Sequence, residues 1–206
     1  MIKKEIYPKT KRVSCAGDKV YITEKLDGSN LAIFKKDNIL YIAQRNNIIP
    51  FEELEEHKGI LYKGLYQWLI DNKQELSNLA NNACVCGEWI GMGCLKYNVD
   101  EFDKRFYMFA KANVNDNFDL YNLIYNHSLF IYPFINQIIP SCIGIVPEVA
   151  EINVLPKKKY LDNIYEKYCN KVKRNVEGFV LNYNNIISKY VRMKNGQLRE
   201  HFDRGE

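Results

Sequence analysis

The chain has 206 residues, with 29 Lys and Arg against 25 Asp and Glu, a formal net charge of +4. Hydrophobic residues make up 47% and charged residues 26%, the proportions of a packed globule, which exclude a disordered or collagen-like chain. No run approaches the roughly 18 apolar residues of a membrane span, and Met1-Ile2-Lys3-Lys4-Glu5 has no apolar leader core behind its charge, so no membrane partner and a cytoplasmic location are expected.

In chain order, 19–34 alternates loosely around Asp27-Gly28-Ser29 and predicts strand, tight turn, strand. A further strand over 39–44 follows a hairpin turn at Lys36-Asp37-Asn38. Leu61, Leu65, Trp68, Leu69, Leu76 and Leu79 recur at helical intervals, which predicts one long amphipathic helix over 57–80. Buried strands are expected over 84–90 and 105–112, and a short helix over 118–127. The segment 143–152 reads as strand interrupted at Pro147. Leu161, Ile164, Tyr165, Tyr168 and Val172 predict a second helix with a Lys-rich outer face, whose lysines suit phosphates but also an ordinary solvated surface. Strands over 176–183 and 187–193 then enclose a turn at Asn184-Asn185. Strands and helices mix without βαβ alternation, so the expected class is α+β with antiparallel sheets, folded as a single domain over 1–206. The Cys84, Cys86 and Cys94 spacing fits no zinc site, and the six cysteines are expected to be reduced packing residues.

The sharpest chemical signal is Glu24-Lys25-Leu26-Asp27-Gly28-Ser29-Asn30, which places an amine beside a glycine turn at the mouth of a sheet. It is neither a phosphate-binding Gly-x-x-x-x-Gly-Lys-Ser/Thr loop nor a dinucleotide fingerprint. Alone it reads equally as a solvated hairpin turn, because Asp-Gly is a favoured turn pair. Its company changes that weighting. Gly87-Glu88-Trp89 and Glu177-Gly178-Phe179 each put a carboxylate into an apolar strand, and Arg192-Met193-Lys194 sets two cations at a spacing that shares one strand face. An amine, two carboxylates and several cations on strands and turns suit a nucleoside triphosphate with a divalent metal ion.

The order of these segments resembles the covalent nucleotidyltransferase superfamily of ATP-dependent RNA and DNA ligases and mRNA capping enzymes, over roughly residues 20–196. Lys25 to Asn30 resembles motif I and Arg45 the motif Ia arginine. Gly87-Glu88-Trp89 resembles motif III and Phe106 to Phe109 motif IIIa. Glu177-Gly178 resembles motif IV and Arg192-Met193-Lys194 motif V. Asn30 and Gly87 to Gly91 look most like the phage-type, nick-sealing RNA ligases. The sequence departs from the pattern at three places. Arg192 replaces the first motif V lysine, Ala110-Lys111 stands where an acidic residue usually follows Phe109, and Asp27 occupies a position often held by His in the nick-sealing branch.

The resemblance implies an adenylyltransferase fold, antiparallel sheets flanked by helices with a nucleotide cleft between them. It implies attack by Lys25 on the α-phosphate of ATP, with the amine kept uncharged by Arg192 and Lys194, and joining of 3′-hydroxyl and 5′-phosphate RNA ends. Glu177, with Glu88, would hold Mg²⁺ or Mn²⁺, while Glu88 would also reach the ribose. Phe109 would stack on adenine, Glu24 would meet the base edge through its backbone, and Asn30, Arg45 and Lys194 would complete the nucleotide contacts. RNA ends or a nicked duplex are the expected partners of a monomer with no C-terminal OB-fold. A minimal DNA ligase, a capping guanylyltransferase and a non-catalytic RNA-end-binding module are the alternatives.

Overall fold

The computed structural model describes residues 1–3, 11–12, 19–44, 46–125, 139–153, 156–183, 186–194 and 197–198. The chain divides into two compact units, one of Met1–Pro8, Gly28–Met92 and Lys96–Ile145, the other of Lys9–Asp27, Gly93–Leu95 and Val146–Glu206. Among the described residues no helix is long and apolar enough to cross a membrane.

The first unit is built on an eight-stranded sheet. Its strands are β1 (Ile2–Lys3), β4 (Gly28–Lys36), β5 (Ile39–Gln44), β6 (Asn47–Pro50), β7 (Ala83–Ile90), β8 (Phe106–Val114), β9 (Leu120–Tyr125) and β10 (Ile143–Ile145). They run in the order β1-β6-β5-β4-β7-β8-β10, with β9 also pairing with β8. All pairs are antiparallel except β8 with β10. Asp37 and Asn38 take φ of 51° and 63°, the left-handed pair that a twisted two-residue hairpin requires between β4 and β5.

One face of this sheet carries Leu31, Ile33, Ile42, Val85 and Met108. The helices α1 (Leu65–Asp71) and α2 (Lys73–Leu76) cover it with Leu65, Leu69 and Leu76. The opposite face is lined by the small residues Ala32, Ala43, Cys84, Cys86, Ala110 and Ala112. Cys84 and Cys86 lie on that face with sulfurs 3.8 Å apart, and every described cysteine is free; Cys15 lies outside the described residues.

The continuous helix expected over 57–80 is not formed. A 3₁₀ turn at Lys58–Ile60 is followed by Gly64 at φ 78°, which starts α1 on a new axis, and Asn72 separates α1 from α2. The helix expected over 118–127 is instead strand β9 as far as Tyr125; residues 126 and 127 lie outside the described residues. Asn115 Oδ1 accepts the amides of Asn117 and Asp119, and Phe118 sits at φ 61°, so a tight turn returns the chain along β8.

The second unit holds a five-stranded sheet in the order β11-β3-β12-β13-β2. Its strands are β2 (Lys11–Arg12), β3 (Val20–Lys25), β11 (Glu148–Ile152), β12 (Gly178–Tyr183) and β13 (Ile186–Val191). A small ribbon of β14 (Met193–Lys194) and β15 (Gln197–Leu198) follows. Thus β3 and β4 flank the Asp27-Gly28 turn but pair in different sheets, and the interruption at Pro147 likewise sends β10 and β11 to different sheets. Strict alternation along β3 puts Val20, Ile22 and Glu24 on the buried face. Helix α3 (Lys158–Val172) packs Leu161, Tyr165 and Tyr168 there against Phe179, Leu181 and Tyr190. The Tyr165 and Tyr168 rings meet Phe179 edge-on at 5.8 Å and 5.9 Å, a favoured aromatic geometry. The turn expected at 184–185 lies outside the described residues.

Candidate active site

Lys25 is the last residue of β3 and, by the alternation that buries Glu24, projects from the face opposite α3. Its Nζ donates to Glu177 Oε2 at 2.6 Å, and the two side chains are 25% and 16% exposed, so the pair is screened but reachable. Glu177 stands one residue before β12, and Gly178 pairs with both Lys25 and Val191. The Glu177 carbonyl accepts the amides of Arg192 at 2.8 Å and Met193 at 2.9 Å, which anchors this residue from its backbone. Glycine at 178 is required by close approach, because a Cβ there would lie 2.0 Å from the Tyr190 carbonyl oxygen.

Burial pushes the Glu177 carboxyl above the usual carboxylate range and outweighs the opposing pull of Lys25. Asp27 raises it further and Lys189 lowers it. Lys189 is a cation the motif pattern does not mark. Period-two counting from Val191, the partner of Gly178, places it on the Lys25 face of the sheet, and that was the signal available in the sequence. Asp27 Oδ2 accepts the Leu95 amide at 2.8 Å, and a side chain at Gly93 would collide with Asp27, so the 93–95 loop braces the turn after Lys25.

Arg192 is placed differently from the expectation of two cations on one strand face. β13 ends at Val191 and β14 begins at Met193, so Arg192 lies in the bend between them. Its Nη1 donates to Asp162 Oδ1 of α3 at 2.6 Å and lies 3.4 Å from the Tyr190 hydroxyl, with the guanidinium over the Tyr165 ring. Arg192 is thus engaged with α3, and the partner in contact with Lys25 is an anion. For Arg192, the expected neighbour of the Lys25 amine, the structure shows an ion pair with Asp162 instead, and Lys25 is paired with Glu177. Lys194 pairs through its backbone with Gln197. Arg45 lies outside the described residues.

Glu24 is 1% exposed, and its carboxylate is bound by Arg174 and Tyr168. Its amide donates to the Pro147 carbonyl at 2.9 Å and is therefore occupied.

In the other unit, Asn30 and Glu88 are directly opposite on β4 and β7, and Asn30 Nδ2 donates to Glu88 Oε2 at 2.6 Å. Phe109 is the extra residue of a β-bulge: Gly87 pairs with Met108 and Cys86 with Ala110, so Phe109 is skipped in the ladder. It is partly buried and packs on the same small-residue face that Ala32 and Cys86 line, the face shared by Asn30 and Glu88 through strand alternation. Lys111, in the position where an acidic residue was expected, is 5% exposed, and burial lowers its proton affinity. Among the described residues no three His, Cys, Asp or Glu side chains converge to hold a metal ion.

Comparisons with known proteins agree with this arrangement of strands. A Naegleria gruberi RNA ligase variant solved with ATP and Mn is 19% identical with a TM-score of 0.51, over 92% of this chain and 56% of that one. An archaeal ATP-dependent RNA ligase is 16% identical with a TM-score of 0.50, over 90% of this chain and 48% of that one. At these identities the likeness establishes the fold, α+β with mainly antiparallel sheets as expected, and the chain spans about half the length of the solved proteins it matches. Comparison with curated proteins gives no match. The family model for RNA ligase matches residues 18–194, from just before β3 to the end of β14, and the chain belongs to the RNA ligase family.

Proposed function

We propose that the chain is the nucleotidyltransferase part of an ATP-dependent RNA ligase, with Lys25 as the residue that carries AMP. The observation that supports this most is the Lys25–Glu177 pair at 2.6 Å, an amine held by a buried carboxylate at the end of a strand. An ammonium group cannot attack phosphorus, so its proton has to leave, and the Glu177 carboxylate is the acceptor already in contact. The raised proton affinity that burial gives Glu177 favours that transfer.

The freed nitrogen lone pair then forms an N–P bond to the α-phosphorus of ATP. The bond from that phosphorus to the bridging oxygen breaks, and pyrophosphate departs with the electron pair. In the next step the oxygen of an RNA 5′-phosphate displaces Lys25 from AMP. In the last, a 3′-hydroxyl attacks that phosphate and releases AMP.

Mg²⁺ and Mn²⁺ sites in nucleotide-binding enzymes take one or two carboxylates and draw other ligands from phosphates and water. Glu177, once the proton taken from Lys25 has passed on to solvent, would be the carboxylate for such an ion, which would offset phosphate charge. Lys189 and Lys194 supply cationic charge for the phosphates, while Arg192 secures the end of β13 to α3. Asn30 and Glu88 offer an amide and a carboxylate to ribose hydroxyls, and Phe109 offers an aromatic face to adenine. Glu24 would meet the base edge through its backbone, and Arg45 would contact the ribose or the substrate strand. The expected substrate is a nicked RNA duplex.

Incubation with α-labelled ATP and Mg²⁺ should label the protein covalently, and Lys25→Ala should abolish the label. GTP and NAD should leave the protein unlabelled, and nicked RNA should be sealed in preference to nicked DNA. A folded wild-type protein that takes no label from ATP would refute the enzymatic reading. Labelling by GTP would replace it with a capping activity, and preferred sealing of nicked DNA with a DNA ligase.

A further inference from the structure

We propose that Arg174 and Tyr168 are positioning residues for Lys25, acting through its neighbour Glu24. This rests on the assignment of Lys25 as nucleophile. Glu24 and Lys25 are consecutive at the end of β3 and therefore point to opposite faces of the sheet. On the buried face the Glu24 carboxylate is saturated by three donors. Arg174 Nη1 donates to Oε1 at 2.6 Å, Arg174 Nη2 to Oε2 at 2.7 Å, and the Tyr168 hydroxyl to Oε2 at 2.9 Å.

Both partners come from the C-terminal end of α3. Lys173 takes the left-handed conformation, φ 54° and ψ 35°, and its amide donates to the Cys169 carbonyl at 2.8 Å, which turns the chain so that Arg174 reaches back under β3. The pair joins residues 150 apart in sequence, with the Glu24 side chain 0% and the Arg174 side chain 11% exposed.

Such a pair is a poor means of gaining stability, because desolvating two charges offsets most of their attraction and an apolar pair of similar volume serves as well. What it does supply is position. A one-residue slip of β3 would put Lys25 into the core and Glu24 beside Glu177, exchanging the two charges between faces. The ladder on one side of β3 is itself irregular at this point, since the register with β11 shifts between Glu148 and Ala150. The bidentate fork holds Glu24 on the core side and thereby holds Lys25 against Glu177.

The test uses the full chain in two assays. The first is the rate at which an amine-reactive reagent modifies Lys25 in the ATP-free protein, followed by peptide mass spectrometry. The second is the rate of self-adenylylation at saturating ATP alongside the Kd for ATP. In the double variant Glu24→Met, Arg174→Met, thermal unfolding should remain near wild type. Lys25 modification should become several-fold faster, approaching that in Glu177→Gln, and adenylylation at saturating ATP, where weaker ATP binding no longer limits the rate, should slow about 10- to 100-fold, since a misplacement near 1 Å costs about that much. Arg174→Lys, which keeps the charge but loses the fork, should shift both rates in the same directions by less.

A double variant that folds and matches wild type in both assays would overturn the proposal, leaving the pair a packing element only. If the double variant does not fold, Arg174→Lys decides, and wild-type behaviour there overturns it. If wild type takes no adenylate, the reading of Lys25 as nucleophile fails, while the modification rates still decide whether Arg174 positions this amine.

Discussion

A methyl group at Gly178 tests how closely the fold and the chemistry are tied. A Cβ built there lies 2.0 Å from the Tyr190 carbonyl oxygen and 2.9 Å from Val191 Cα, both backbone atoms of the neighbouring strand. No side-chain rotation relieves that contact, so β13 must retreat from β12 by more than an ångström. The retreat strains the Gly178–Val191 pairing and the two amides, of Arg192 and Met193, that hold the Glu177 carbonyl. Overpacking of this kind costs about 1–3 kcal/mol, and a weakened hydrogen bond about 1 kcal/mol more. For Gly178→Ala we therefore expect a loss of about 3 kcal/mol, or roughly 6–12 °C in Tm for a chain of this size. Because Glu177 moves with that backbone, adenylylation should fall by about 100-fold beyond any loss of folded protein. The control is Gly59→Ala, where a Cβ meets nothing within 4 Å and stability should stay within about 0.5 kcal/mol of wild type. Urea titration and single-turnover labelling read both effects. If Gly178→Ala matches Gly59→Ala in each, the close approach of β13 is not what places Glu177.

Three further outcomes follow from the same geometry. Burial raises the proton affinity of Glu177 in the folded chain, so between the ordinary carboxylate pKa and the raised value the folded state binds more protons and stability falls as pH rises. Glu177→Gln removes that fall, and its urea midpoint should gain on wild type as pH rises above the ordinary carboxylate value of about 4.3; parallel profiles would contradict the burial. The Cys142 thiol is pushed up to about 12 by burial, whereas Cys94 is exposed. At about pH 8 iodoacetamide should therefore modify Cys94 before Cys142, and Cys142 at least about a hundredfold more slowly than an ordinary thiol, and similar rates would refute this. Phe109→Ala should weaken ATP binding about five- to tenfold through loss of an aromatic face, with little change in Tm because the ring is only partly buried; an unchanged Kd would remove Phe109 from the nucleotide site.

Much of the fold is legible in local pattern. The alternation of β3, the apolar run of β7 and the Asp37-Asn38 turn each specify their own structure, and the helical stripe from Leu161 to Val172 specifies α3. The failures share a cause. Apolar residues from Leu61 to Leu79 fit a helix, yet Gly64 in a left-handed conformation and Asn72 divide that span, and the pieces are held by packing on the sheet rather than by their own continuity. Leu120 to Tyr125 fits either period, and the edge of β8 decides it. For the site, Lys25 and Glu177 are visible through their motifs, 152 residues apart, and the structure brings them into contact. The destination of Arg192 is not visible, because a cation two residues from another looks the same whether it faces phosphate or Asp162. Glu24 with Arg174 is equally hidden, since nothing local links a strand end to the turn after a distant helix.

The most direct measurement is peptide mapping of the wild-type protein after incubation with ATP and Mg²⁺. One adenylate, joined through an acid-labile and base-stable nitrogen–phosphorus bond to the peptide that contains Lys25, is the expected result. Adenylate on any other residue would contradict the assignment of Lys25, even if RNA were sealed.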